Sequence, residues 1–433
     1  MTLVKTIYSW FVRNVLPGLL VSLVLVSLIL AAGEMYIRNT RPFFNTTWPS
    51  RFSPDVGFLF SPHTEVRWTN HQDFWASETT NSLGFLDREL KAPSAQCHVA
   101  VIGDSFVEAA QVRNSEKVQA RLEALAAAGA PELKLTADGW GYSGTGQLNQ
   151  LSFYDVHVAK RHAHLVVLVF VANDFRNNSA LLESVANGWH PDHLPRVFAR
   201  RAGEKFVLTD IDPKWNQLAL PLRMEPAPPP GLIESLRSES KLFDWVYRRS
   251  VHLYPQFAGT EAAERARRLY KGRYDHLRVK PEFAPLLADW KFDGRVAELD
   301  HTFYDEVLPK VFRDALDYTQ FALSEFKARV EGNGGRLVVL ATSEMGKQPE
   351  GRGGAVNWQM ERLNAIAKKV DIPVIDQRRY IVDRGLDPAE ARFPNDGHWS
   401  VKGHEWAAEA ILAYVKSGPN VCGQAAAEGT HPQ

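Results

Sequence analysis

Five short runs in this chain are predominantly apolar: Val99–Ile102, Leu133–Thr136, Leu165–Val171, Leu337–Ala341 and Pro373–Ile375. Runs of that length, all but Leu133–Thr136 without the polar alternation of a half-exposed strand, read as strands covered on both faces. Helical stripes separate them. Val118, Leu122 and Leu125 follow the first run, and Leu148, Leu151 and Val158 follow the second. Leu308, Phe312, Leu316, Leu323 and Phe326 precede the fourth, and Leu363, Ile366 and Val370 precede the fifth. Alternating strands and helices predict an α/β domain in which helices cover both faces of a parallel sheet. Reactive residues are then expected at the carboxyl ends of the strands.

The remaining sequence divides around this core of residues 97–416. Residues 34–96 are rich in aromatics and proline with little periodicity and read as a stalk and irregular lead-in; residues 417–433 read as a tail. From Asn177 to about His301 the strand–helix rhythm is lost. A proline run at Glu225–Gly231 and helical patches at Leu236–Arg249 and Glu261–Tyr270 mark an insertion. It leaves from the carboxyl end of the third strand, so it is either a cap that shapes a substrate groove or a surface elaboration.

Asn14 to Gly33 carries no charge and is about long enough to cross a bilayer as one helix. Lys5 and Arg13 precede it, while Glu34 dilutes Arg38 and Arg41 beyond it, which favours a cytoplasmic segment 1–13. The rival reading is a signal peptide cleaved near Ala31-Ala32-Gly33. Both readings export the rest of the chain, either tethered to the membrane or released. In such a compartment Cys97 and Cys422, flanking the first strand and the last helix, form either a disulfide or two free thiols. The chain has 50 basic and 50 acidic residues, a formal net charge of zero, which removes the electrostatic footprint of a nucleic-acid binder. A neutral or weakly polar substrate fits better.

Four segments at predicted strand ends carry chemistry. In Gly103-Asp104-Ser105-Phe106 the glycine permits a tight turn and Ser105 opens a helix, either as a cap or as a nucleophile. Gly139 to Gln147, directly after the second strand, is glycine-rich and lets backbone N–H groups approach a substrate oxygen; no lysine follows where a phosphate loop would need it. Asn173, in Val171-Ala172-Asn173-Asp174, offers an amide that can donate to an oxyanion. His398, in Asn395-Asp396-Gly397-His398-Trp399, can act as base, with the Asp396 carboxylate fixing its tautomer.

Together these blocks resemble the SGNH, or GDSL, hydrolase superfamily, with Ser105, Gly144, Asn173 and His398 matching its four named residues in order. The resemblance implies a three-layer flavodoxin-like fold and serine-dependent ester chemistry without a cofactor or metal. Ser105, His398 and Asp396 would be the catalytic residues, and Ser105, Gly144 and Asn173 the oxyanion hole. The usual aspartate three residues before the histidine is Asn395 here, and the acid is Asp396, two residues before. That closer Asp-x-His spacing resembles proteins acting on exopolysaccharide acetyl groups, and Asn81-Ser82-Leu83-Gly84-Phe85 resembles the lead-in of exported bacterial members. The expected substrate is an acylated small molecule or an envelope or extracellular glycan. Competing readings are an O-acyltransferase using the same residues, a metal-dependent phosphoesterase with Asp104, Asp396 and His398 as ligands, and a non-catalytic glycan-binding protein.

Overall fold

The computed structural model describes residues 8, 10–40, 46–70, 73–94, 96–215, 232–247, 281–291, 294, 296, 298–346, 356–394, 396–418 and 421–422. The proline run Glu225–Gly231, the helical pattern Glu261–Tyr270, Asn395, most of the amino-terminal segment 1–13 and most of the tail lie outside them. Strands β1 (Cys97–Gly103), β2 (Leu135–Gly141), β3 (Leu165–Phe170), β4 (Arg336–Ala341) and β5 (Val374–Asp376) make one parallel sheet in the order β5-β4-β3-β1-β2. This is the flavodoxin-like order. The strand order reverses between β1 and β3, the switch point at whose carboxyl end ligands bind in open sheets of this kind.

In chain order the accompanying helices are α1 (Ser105–Glu108), α2 (Val118–Gly129), α3 (Gln147–Phe153), α4 (Lys310–Gly332), α5 (Trp358–Lys369) and α6 (Val401–Ser417). Consecutive strand residues point to opposite faces, so each strand feeds two cores. Val99, Val101, Val167, Val169, Val338 and Leu340 meet Val118 and Leu122 of α2 and Ala407 and Ile411 of α6. Ala100, Ile102, Val166, Leu168, Val339 and Ala341 meet Leu148 and Leu151 of α3, Phe312 and Phe326 of α4 and Leu363 of α5. Each fully buried branched side chain contributes roughly 2 kcal/mol, which is why unbroken apolar strands select this layered arrangement.

β2 begins two residues later than its sequence suggests and runs on through Asp138, Gly139, Trp140 and Gly141. Gly139 and Gly141 are therefore strand residues and not part of a loop. A Cβ on Gly141 would lie 2.2 Å from the Glu108 backbone nitrogen, and one on Gly139 would lie 2.3 Å from Gln119 Nε2. Close packing, not turn flexibility, requires them.

The expectation of an irregular stalk up to residue 96 is corrected. Ser50–Ser53 pairs with Gly57–Phe60, and Glu65–Thr69 with Trp75–Thr79, as two antiparallel hairpins. Phe60 and Phe85 are fully buried in the main core, where Phe85 meets Trp140 edge-on. The strands are four or five residues long, too short to show a period. The insertion is not one body either. By packing the chain forms two compact units, one of Met1–Asn45 with Pro226–Tyr274, the other of Thr46–Glu225 with Asp275–Gln433.

In the first unit an apolar helix runs over Leu16–Thr40, seven residues past Gly33. Within Leu16–Asn39 an 18-residue window has mean hydropathy 2.4, and the helix is long and apolar enough to cross a membrane by length and composition. Beyond the apolar part, Glu34 accepts hydrogen bonds from the Ser240 hydroxyl and from the Lys241 and Leu242 N–H groups, at 2.9, 2.9 and 2.7 Å. In the second unit a disulfide joins Cys97 to Cys422 across 325 residues.

Candidate active site

β1 ends at Gly103, where a Cβ would fall 2.6 Å from Val107 Cγ2, so only glycine lets α1 start this close to the strand. Asp104 is fully buried and caps α1 by accepting from the Phe106 N–H at 3.0 Å. Ser105 follows with its hydroxyl at the end of β1. From the far end of the chain, the turn Phe393–His398 is closed by the Phe393 N–H to His398 carbonyl bond at 2.9 Å and by Gly397 in a left-handed conformation, φ 94°. Trp399 is 1 % exposed and donates to Gln377 Oε1 at 2.9 Å, so it anchors this turn in the core and is not available to stack on a sugar.

His398 Nε2 lies 2.8 Å from Ser105 Oγ. Its Nδ1 is hydrogen-bonded to Asp396 Oδ1. The Phe106 ring packs against the imidazole with centroids 5.1 Å apart, and Trp399 meets Phe106 edge-on at 5.3 Å. Both ring nitrogens and the ring plane of His398 are thereby set. With Nδ1–H donating to the carboxylate, Nε2 is left to accept the serine proton.

Gly144 sits in the turn after β2 with φ 68°, a left-handed value that favours glycine. The N–H groups of Ser105 and Gly144 donate to no partner among the described residues. Asn173 lies just beyond β3, the strand paired with β1. Its amide donates to Asn177 Oδ1 at 2.7 Å and to Asp104 Oδ2 at 3.3 Å, and that same Asp104 oxygen is 3.4 Å from Ser105 Oγ. Asn173 is thus linked to the serine through Asp104, but in this state its amide hydrogens face protein acceptors. Stabilising an oxyanion would require the Asp104 bond to be exchanged for one to substrate.

Buried charge surrounds the site. Burial raises Asp104, against the Phe106 N–H bond and the neighbouring His398. Asp174 is raised well above the usual carboxylate range by burial and by Asp104 beside it, while accepting from the Val171 N–H at 3.0 Å and Gln147 Nε2 at 2.8 Å. Glu108 is pushed up to about 7 by burial, and Lys117 down to about 8 by the same cause. For His398 burial opposes protonation, but the Asp396 hydrogen bond and charge, with Asp104 and Glu108, leave it above the ordinary imidazole value.

Sequence reasoning missed several residues here. Glu108, one turn beyond Ser105, accepts from the Ser143 N–H and hydroxyl; its place on a short helix beside the serine was the available signal. Gln111 Nε2 lies 3.4 Å from Asp396 Oδ1. Arg196 donates to the Gly144 carbonyl, and nothing local in the sequence marks it. His404, in the first turn of α6, is buried edge-on against Trp399 and held down to about 3 by desolvation. Among the described residues, no group of three or more His, Cys, Asp or Glu side chains is placed to hold a metal ion.

No family model matches this chain, and no curated protein matches it. Among solved structures it is similar to LAE5, an alpha/beta hydrolase enzyme from the metagenome of Lake Arreo, Spain. The identity is 13% and the TM-score 0.36, over 75% of this chain and 96% of that one. It is also similar to Axe2, an acetylxylan esterase from Geobacillus stearothermophilus, at 11% identity and TM-score 0.35, over 75% of this chain and 96% of that one.

Proposed function

We propose that this chain is a serine esterase of the SGNH type that removes O-acyl groups, acetyl above all, from a cell-envelope or extracellular glycan. The observation that carries the reading is the 2.8 Å approach of Ser105 Oγ to His398 Nε2, with Asp396 on the other ring nitrogen. In the proposed reaction His398 takes the Ser105 proton as Oγ attacks the ester carbonyl. The Ser105 and Gly144 N–H groups, joined by the Asn173 amide, stabilise the oxyanion. The alcohol leaves with the proton from His398, and water, activated by the same imidazole, releases the acid from Ser105. Neutral net charge suits a neutral acylated sugar. The apolar helix supports membrane attachment with the catalytic unit exported.

The test is hydrolysis of 4-nitrophenyl acetate and of an acetylated oligosaccharide by the full chain in detergent, with Ser105→Ala beside it. The expected result is acetate release that falls at least about a thousandfold in the variant. Equal release by both proteins would remove Ser105 from the chemistry. A run with added sugar acceptors separates hydrolysis from acyl transfer by scoring free acetate against acetylated sugar.

A further inference from the structure

Arg196, on the chain between β3 and α4, is 6 % exposed. Its guanidinium lies over the ring faces of Phe58 and Trp189, 5.5 Å from each centroid. Nη1 donates to the Gly144 carbonyl, and Nη2 donates to the Ser143 carbonyl at 3.4 Å. Its contacts are thus aromatic faces and peptide oxygens, with no carboxylate in hydrogen-bond contact among the described residues, and its Nε has no hydrogen-bond partner there. A cation buried without a paired carboxylate is costly to keep, so the site must use it in some other way.

The Ser143 carbonyl and the Gly144 N–H belong to one peptide unit, where they point in opposite directions. A positive charge at the carbonyl draws electron density from the N–H and makes it a stronger donor. Glu108 grips the same residue from the other side through the Ser143 N–H and hydroxyl, at 2.8 and 2.7 Å. The turn carrying Gly144 is therefore held between a carboxyl group on α1 and a guanidinium brought in from the region beyond β3. Among the described residues, a Cβ on Gly144 would find only Arg196 Nη1 within 4 Å, at 3.9 Å.

We propose that Arg196 is a positioning residue of the ester site: it fixes and polarises the Ser143–Gly144 peptide so that the Gly144 N–H meets the oxyanion as a pre-aimed, strengthened donor. This rests on the reading of Ser105 as nucleophile and Gly144 as oxyanion donor. It gives the inserted region a defined function in the chemistry, whatever its part in substrate binding.

The experiment uses the full chain in detergent and compares Arg196→Ala and Arg196→Lys with the unmutated protein. It measures kcat and KM for 4-nitrophenyl acetate, inhibition by phenylboronic acid, which forms a tetrahedral adduct on serine, and labelling by a fluorophosphonate. Arg196→Ala should lose about 10- to 100-fold in kcat, less than loss of a whole oxyanion donor, with KM within threefold. Boronate inhibition should weaken in parallel. Added guanidinium at tens of millimolar should restore part of kcat, and urea, its neutral isostere, should not.

Unchanged kcat in Arg196→Ala, or equal rescue by urea, overturns the proposal. If Arg196→Ala fails to fold, Arg196→Lys decides: a threefold to tenfold loss in kcat with weakened boronate inhibition supports it, and an unchanged kcat overturns it. An unmutated protein that neither hydrolyses the ester nor labels with fluorophosphonate overturns both this inference and the esterase reading. Labelling and turnover that survive in both variants at full rate overturn this inference alone.

Discussion

The Glu108 carboxyl group accepts two hydrogen bonds from Ser143, from the N–H at 2.8 Å and from the hydroxyl at 2.7 Å, and so ties the turn after β2 to the helix that begins with Ser105. Because Glu108 is buried, its proton affinity becomes a property of the fold.

Burial raises Glu108 from 4.5 to about 7. Between those values the native protein holds a proton that the unfolded chain has released, so this group makes stability fall as pH rises from about 4.5 to 7, and adds no slope above. The span corresponds to a change on the order of 3 kcal/mol. Glu108→Gln keeps an acceptor for the Ser143 N–H and removes the titration. Urea unfolding at pH 5 and pH 8 is expected to show a smaller drop in the variant than in the unmutated protein. Equal drops would show that Glu108 does not titrate in this range.

In the proposed reaction His398 must be neutral to take the serine proton, and against the opposing effect of burial its affinity for a proton is raised chiefly by the Asp396 hydrogen bond and charge. The acid limb of the kcat/KM profile should therefore lie above the ordinary imidazole value. Asp396→Asn should move that limb to lower pH and reduce kcat by roughly 100- to 10,000-fold, through loss of the favoured tautomer. A pH–rate profile of both proteins checks this. A limb that stays in place would mean that Asp396 does not control the imidazole.

In the resting state the Asn173 amide is bonded to Asp104 and Asn177. Asn173→Ala should lower kcat on aryl acetates by about 100-fold or more, equivalent to about 3 kcal/mol of transition-state stabilisation, with little change in KM. Asn173→Asp, which keeps the shape but removes the donor and adds charge, should be no better than alanine. Retained activity in the aspartate variant would show that the residue braces the crevice and does not touch the oxyanion.

The Cys97–Cys422 bond closes a loop of 325 residues and pins the tail after α6 to the start of β1. Long loops gain the most from closure in the chain-entropy picture, so Cys422→Ala should lower unfolding stability by about 2–5 kcal/mol. Because the bond lies at the amino end of β1, opposite the edge that carries Ser105, kcat should hardly change. Denaturant midpoints and aryl acetate kinetics of the variant, compared with those of unmutated protein, test both halves.

How much of this was legible beforehand differs by element. Val99–Ile102, Leu165–Val171 and Leu337–Ala341 declared themselves because a strand buried on both faces needs an unbroken apolar run, a local property of the chain. β2 was misplaced because four of its seven residues are Asp138, Gly139, Trp140 and Gly141, the two glycines being required by what packs against them at Gln119 and Glu108. The hairpins before residue 80 were missed for a related reason. Their short strands are held by aromatic contacts such as Trp48–Phe60 and Phe60–Tyr142, and so by partners the local sequence does not name.

By itself the sequence determined the layered α/β architecture, the apolar helix near the amino terminus, and the identity and order of Ser105, Gly144, Asn173 and His398. These follow from local chemistry: side-chain period, chain reversal at glycine, and residue types that can attack, donate or move a proton. Tertiary structure alone decided that Ser105 and His398 lie 2.8 Å apart across 293 residues, that Asp104 competes for the Asn173 amide, and that Arg196 holds the Gly144 turn. Those relations depend on desolvation and on distances of a few ångströms between segments far apart in the chain. Only the closed fold sets either of them.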